Sequence, residues 1–239
     1  MTVDPVLILT AHGSVDPRSS ATTHALADLI RRRRPGLKVR VAFCEKSMPN
    51  LSDVLARLRG PAVVTPLLLA SAYHARVDIP AIVAESGADV LQAETLGEDP
   101  QLIQVLAQRL TEVGLRYPDP DRHDTGVLVV AVGSSHAAAN ARTASLAARL
   151  TGPWTAVRMA YATGPEPSVA NGIAALRATG AGRIVLAPWF IAPGRITDRV
   201  AALAAADGIP MADPLGAHPL VAATIIDRFD TAIAERLVA

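Results

Sequence analysis

The order of strands, turns and prolines along this chain repeats once, at offsets of 118 to 122 residues, and no other feature constrains the fold as tightly. Val6-Leu7-Ile8-Leu9-Thr10-Ala11 runs into His12-Gly13-Ser14, and Val127-Leu128-Val129-Val130-Ala131 runs into Val132-Gly133-Ser134. Val41-Ala42-Phe43 with Pro49 matches Met159-Ala160-Tyr161 with Pro167. Val63-Val64-Thr65-Pro66 matches Val185-Leu186-Ala187-Pro188, and Leu96-Gly97 with Pro100 matches Leu215-Gly216 with Pro219. Anchors in one order at one spacing mark a duplication.

Within the first copy, β-branched runs alternate with amphipathic stretches: strands at 6–11, 38–43, 62–69 and 89–92, helices at about 18–34, 51–59, 78–86 and 99–114. Alternation of this kind predicts a parallel sheet with helices on both faces. The palette agrees. Half the chain is hydrophobic but only 3% is aromatic, so the core rests on Ala, Val, Leu and Ile, the residues of strands buried on both sides. Residues 117–125 are polar and proline-bearing, as a linker is. The expected architecture is α/β, with two tandem parallel-sheet domains at 1–116 and 126–239 facing each other across a cleft.

Several function classes drop out. A formal charge of +1 leaves no basic field for nucleic acid, and Arg31-Arg32-Arg33-Arg34 reads as the solvated end of a helix. Cys44 is the only cysteine, so neither a disulfide framework nor a thiolate metal cage is available. No apolar run is long enough to cross a bilayer, and the N-terminus shows no signal-peptide pattern, so a soluble, reducing, cytoplasmic setting is expected. No G-x-x-x-x-G-K-[ST], dinucleotide fingerprint or G-x-S-x-G elbow occurs, so no nucleotide cofactor is expected.

What remains is a set of polar groups at strand ends. His12 ends the first strand, Glu45 lies just past the second and His74 lies in the loop after the third. In a parallel sheet these ends share one edge, where ligands sit. Two imidazoles and a carboxylate suit a divalent metal with positions left open, and imidazole is also a base near neutral pH. Each residue has a plainer reading: a histidine after a strand as a hydrogen-bonded turn residue, Glu45 beside Lys46 as a surface ion pair. The duplication weighs against the plain readings. The second copy holds Val132 for His12, Thr163 for Glu45 and Arg195 or Ile196 near the His74 position, so the scaffold is kept while the candidate ligands are lost together.

Among the remaining residues, His24 reads as a surface or half-buried helix residue and His123 as linker. His136 begins a helix and could face the cleft; His218 reads as a helix cap. Cys44 reads as a small apolar residue, and Trp189 and Phe190 as core, Trp189 with the option of flooring a flat ligand.

At these residues the sequence resembles the sirohydrochlorin chelatases, the class II cobalt- and iron-chelatase family. The resemblance rests on His12-Gly13-Ser14 with Asp16-Pro17-Arg18, on Ala42-Phe43-Cys44-Glu45, and on Pro66-Leu67-Leu68-Leu69 followed by His74-Ala75-Arg76-Val77-Asp78-Ile79-Pro80. It covers the first 115 residues well and the second copy in outline. Ala70-Ser71-Ala72-Tyr73 departs from the family, where many members are glycine-rich. The resemblance implies paired flavodoxin-like halves and a sirohydrochlorin in the cleft. It further implies a divalent metal as substrate, Fe2+ first and Co2+ second, handled by His12, His74 and Glu45, with no ATP. Arg18, Arg76 and the N–H groups after Gly13, Ser14's among them, are then candidate anchors for the macrocycle's carboxylates; Arg195 either joins them or pairs with a neighbour. A monomer with pseudo-twofold halves is expected. A carrier of metal or tetrapyrrole without turnover, or a regulatory protein of the same fold, are the rival classes, and the trio on one half favours the enzyme.

Overall fold

The computed structural model of the chain describes residues 4–71, 74–113 and 124–238. The linker expected at 117–125 lies outside the described residues except for its last two positions, and His123 lies outside them as well.

Two compact units form, one from residues 1–99 with 217–239, the other from 100–216. In the first, β1 (Val6–Ala11), β2 (Val39–Phe43), β3 (Ala62–Pro66) and β4 (Val90–Gln92) make a parallel sheet in the order β2-β1-β3-β4. Every residue of β1 is buried, as its unbroken apolar run requires of a central strand covered on both faces. Helices α1 (Pro17–Arg33), α2 (Leu51–Ala56) and α3 (Ile79–Ser86) connect these strands. Asp16 starts α1 by accepting the Arg18 N–H, Pro17 occupies the first turn where its missing N–H costs nothing, and three arginines fill the last turn. A π-helical turn, His74–Asp78, leads into α3. The core on one face gathers Ile8, Leu51, Leu55, Val64 and Ile79, with Cys44 packed against it.

The second unit repeats the plan. Its strands β5 (Thr125–Ala131), β6 (Ala156–Tyr161) and β7 (Arg183–Pro188) pair in the order β6-β5-β7; helices α5 (Ala137–Ala144), α6 (Leu146–Arg149) and α7 (Val169–Ala178) connect them, and α8 (Arg195–Ala206) follows β7. The fourth strand of the first unit is reduced here to a single parallel bridge between Leu186 and Met211. Several hydrogen bonds at the strand ends have counterparts in the two units. Leu67 N–H reaches Thr10 O and Trp189 N–H reaches Val130 O, both at 2.7 Å; Leu96 N–H reaches Leu68 O and Leu215 N–H reaches Phe190 O, both at 2.9 Å. The chain is thus α/β with two parallel sheets related by duplication.

One sequence expectation changes, and the packing units are drawn along other lines than the sequence copies. The strand expected over 62–69 ends at Pro66, because its partner β1 ends at Ala11 and leaves nothing to pair with beyond Leu67. The packing units also differ from the sequence halves 1–116 and 126–239. Helix α4 (Pro100–Glu112) belongs to the second unit, where it packs on β7 and Arg109 donates to Leu215 O. Helix α9 (Pro219–Val238) belongs to the first unit, where it packs on α1, β3 and β4. Arg228 on α9 binds the carbonyls of Thr95 and Leu96 and the Asp99 carboxylate at 2.9–3.0 Å. Periodicity reveals a helix's apolar stripe; it does not say which sheet the stripe covers.

Candidate functional site

Strand order decides which side chains can meet. Because β1 lies between β2 and β3, the carboxyl ends of these strands are neighbours, and His12 follows the middle one. The loop after β2 is fastened to the loop after β1 by Cys44 N–H to Ala11 O at 3.0 Å and Glu45 N–H to His12 O at 2.9 Å. Gly13 makes this approach possible. Its φ is +95°, and a Cβ there would lie 1.7 Å from the Glu45 carbonyl oxygen. Ser47 adds a further clasp: its Oγ accepts the Ser14 N–H at 3.0 Å and donates to Ser14 O at 2.9 Å.

This scaffold sets His12 Nε2 3.4 Å from Glu45 Oε1, with both side chains partly open to solvent. The other ring nitrogen, Nδ1, lies 3.0 Å from Gly13 O. A carbonyl can only accept, so Nδ1 carries the proton in the neutral ring and the Nε2 lone pair faces the carboxylate side. That tautomer suits a metal ligand or a proton acceptor whose orientation is fixed by a second hydrogen bond. Glu45 Oε1 is also 2.5 Å from Lys46 Nζ.

The third residue of the expected trio, His74, opens the π-helical turn after β3, at the same sheet edge; its side chain lies outside the described residues. Among the described residues no three His, Cys, Asp or Glu side chains form a metal-holding group. Cys44, between β2 and Glu45, packs against the core of this face. Burial first, then the charges of Asp78 and Glu45, push its thiol up to about 11, so it stays protonated at neutral pH. Asp78, in the motif His74–Pro80, has the larger of the two charge effects on this thiol.

The expected anchors are placed as follows. Ser14's N–H and carbonyl are both taken by Ser47, and its Oγ accepts the Asp16 N–H at 3.0 Å. Arg18 is held by Asp16 in a bidentate fork, Nε to Oδ1 at 3.0 Å and Nη2 to Oδ2 at 2.6 Å. Arg76 is exposed on the π-helical turn, and Arg195 is exposed at the start of α8. The other histidines follow their plainer readings: His24 is exposed with its ring edge-on to Phe43, and His218 Nδ1 accepts the Leu220 N–H at 3.1 Å, capping α9. His136 is exposed at the start of α5. Trp189 and Phe190 are core residues, 2% and 7% exposed, which removes Trp189 as an open floor for a flat ligand.

The second unit shows the same corner with Val132 and Thr163 in place of His12 and Glu45. Thr163 N–H reaches Val132 O at 3.0 Å, matching the Glu45–His12 bond, and a Cβ on Gly133 would lie 1.7 Å from Gly164 O. Asn140 does the work of Ser47, accepting the Ser134 N–H at 2.9 Å and donating to Ser134 O at 2.6 Å. A cleft of about 550 Å³ remains there, lined by Gly133, Ser134, Asn140, Thr163 and Gly164 among others, with no charged group.

Comparison with known proteins agrees with this duplicated plan. The family model CbiX matches residues 6–113 and again residues 126–232. A sirohydrochlorin cobaltochelatase of Priestia megaterium is 23% identical over 81% of this chain, a match spanning 66% of that protein's own length. One of Methanosarcina acetivorans is 29% identical over 44% of this chain and 94% of its own. A sirohydrochlorin ferrochelatase of Priestia megaterium is 26% identical over 57% of this chain and 53% of its own. Among solved structures, SirB from Bacillus subtilis with Fe3+ superposes with a TM-score of 0.81 at 18% identity, covering 98% of both chains. With the family model matched across both copies, the chain belongs to the CbiX family, the sirohydrochlorin chelatases.

Proposed function

We propose that this protein inserts a divalent metal into sirohydrochlorin without nucleotide hydrolysis, using His12 and Glu45 together with His74. The observation that carries the reading is the His12–Glu45 pair, built at the head of adjacent strands in one copy and absent from the same corner of the other. Insertion requires that the metal shed water and that two pyrrole N–H protons leave as the ion binds the four ring nitrogens. The Nε2 lone pair of His12 and the Glu45 carboxylate supply a nitrogen and an oxygen ligand for the metal substrate, and both accept protons. With no phosphoryl transfer in this chemistry, ATP has no part to play.

We place iron first as the metal, giving sirohaem. Cobalt is the second reading, favoured by the Priestia and Methanosarcina relatives named as cobaltochelatases. Imidazole and carboxylate ligands accept either ion, so supply would decide between them. The protein is read as a cytoplasmic monomer with no nucleic-acid or membrane partner; among the described residues no helix is long and apolar enough to cross a membrane.

The test is His12→Ala and His74→Ala. Each is expected to cut insertion by at least about 100-fold, as loss of a ligand or acid–base group does. Insertion is followed by the visible spectrum of sirohydrochlorin with ferrous or cobaltous ion, and circular dichroism should show both variants folded. Near-wild-type rates in both would sink the proposal.

A further inference from the structure

We infer that Lys46 is a positioning residue that competes with the incoming metal for Glu45 and so keeps the metal loosely held. The inference rests on the metal reading of His12 and Glu45 given above. Lys46 Nζ lies 2.5 Å from Glu45 Oε1, the same oxygen that lies 3.4 Å from His12 Nε2. A metal held between His12 Nε2 and Glu45 Oε1 would share that oxygen with the ammonium, which draws on its charge and repels the ion.

Backbone geometry singles the residue out. Lys46 has φ +59°, the only non-glycine positive φ among the described residues. It is the middle of a three-residue turn closed by Ser47 N–H to Glu45 O at 2.7 Å, a turn uncommon because of its strain. At the matching position of the second unit, after Thr163, stands Gly164 with φ +100°. Glycine takes a left-handed conformation at little cost, and a side chain does not. The copy that holds the carboxylate carries a lysine where the copy without it carries glycine. The loop is pinned on both sides of Lys46, by Glu45 N–H on His12 O and by the Ser47–Ser14 clasp, so its Cα cannot swing away to relieve the turn.

The consequence suits an enzyme whose metal is cargo. Before the metal binds, Lys46 neutralises Glu45. Afterwards it stands as a like charge beside the ion. Both effects weaken binding and speed release to the macrocycle. Lys46 and Glu45 are about half exposed, so solvent moderates each effect without abolishing it.

The test compares wild type, K46M and K46R by calorimetry with cobaltous ion, and by steady-state insertion at varied cobalt. Met and Arg keep an unbranched stem on the same left-handed backbone, so the strain at this position is unchanged. K46M should bind cobalt about tenfold tighter, with a lower KM for the metal and a lower kcat. K46R should behave as wild type, because it restores the charge. Unchanged or weaker binding by K46M, or equally tight binding by K46R, overturns the inference. E45Q separates this failure from that of the underlying reading. If E45Q leaves cobalt affinity unchanged, the metal is not at Glu45 and both fall; if E45Q weakens binding while K46M does nothing, only the role of Lys46 falls.

Discussion

Gly13 and Gly133 occupy the same corner of the two units, and each lets one loop pass against the next carbonyl at a distance no side chain allows. Alanine at either position combines a positive φ with a Cβ 1.7 Å from backbone, so both variants should lose stability, on the order of 2–4 kcal/mol. Their effects on function should differ. Gly13→Ala pushes directly on Glu45, whereas Gly133→Ala pushes on Gly164 in the corner that lacks the His and Glu side chains. Urea unfolding should therefore show both destabilised, and cobalt calorimetry should show only Gly13→Ala weakened. Equal cobalt affinity in the two would mean that the Gly13 contact does not set the position of Glu45. A second residue-scale expectation concerns Cys44. Its thiol is raised from 9.0 to about 11, chiefly by burial, so the folded state keeps its proton after the unfolded chain has lost its own. By linkage this contribution to stability is intact below pH 9 and is lost as pH rises from 9 towards 11. Disulfide-exchange reagents should modify folded Cys44 slowly at pH 8, faster with rising pH, and rapidly at pH 8 in urea. Prompt labelling of the folded protein at pH 8 would contradict the burial argument.

The elements show why some of this was legible beforehand. β1 was visible because an unbroken apolar run ending in His-Gly has few other uses, and the parallel sheet followed from alternation with helices. With the strand order β2-β1-β3, the neighbourhood of His12 and Glu45 follows from strand ends that share one edge. The comparison of copies also held in detail, since the hydrogen bond from Glu45 to His12 has its counterpart from Thr163 to Val132. The π-helical turn at His74–Asp78 was not legible: five residues are too few to show a period, and they read as the end of a loop. The tautomer of His12 depends on its ring meeting Gly13 O, a contact that spacing does not encode. Nor does sequence say that Ser47 would occupy the Ser14 N–H or that Asp16 would hold Arg18, which bears on how far either can serve an incoming carboxylate. These are side-chain contacts, set by loop paths and not by periodicity. The fourth strand of the second copy was likewise shortened to one bridge at Met211.

At the scale of the whole molecule, the two sequence copies are not the two packing units, because the closing helices are exchanged along the chain. The first unit takes α9 from the far end of the sequence, and the second takes α4 from the first copy. Val221, Ile225 and Phe229 on α9 are 0%, 0% and 1% exposed. Fully burying side chains of this size contributes about 1.5–3 kcal/mol each, so these three alone rival the ~5–15 kcal/mol stability of a typical domain. Cutting at the linker therefore removes what the first unit cannot spare. Residues 1–116 expressed alone should show no cooperative thermal transition and should aggregate, with the surfaces of α1, β3 and β4 uncovered. A chain joining residues 1–99 through a flexible Gly/Ser linker of about ten residues to 217–239 should melt cooperatively, since it holds every element of that unit. It should also bind cobalt within about tenfold of the full protein, because His12, Glu45 and residue 74 all lie within it. Cooperative melting of residues 1–116 would show that α9 is dispensable and that the sequence halves are the folding units after all. A joined chain that folds but does not bind cobalt would instead extend the ligand set beyond these residues, and the metal assignment would have to be redrawn around that missing group.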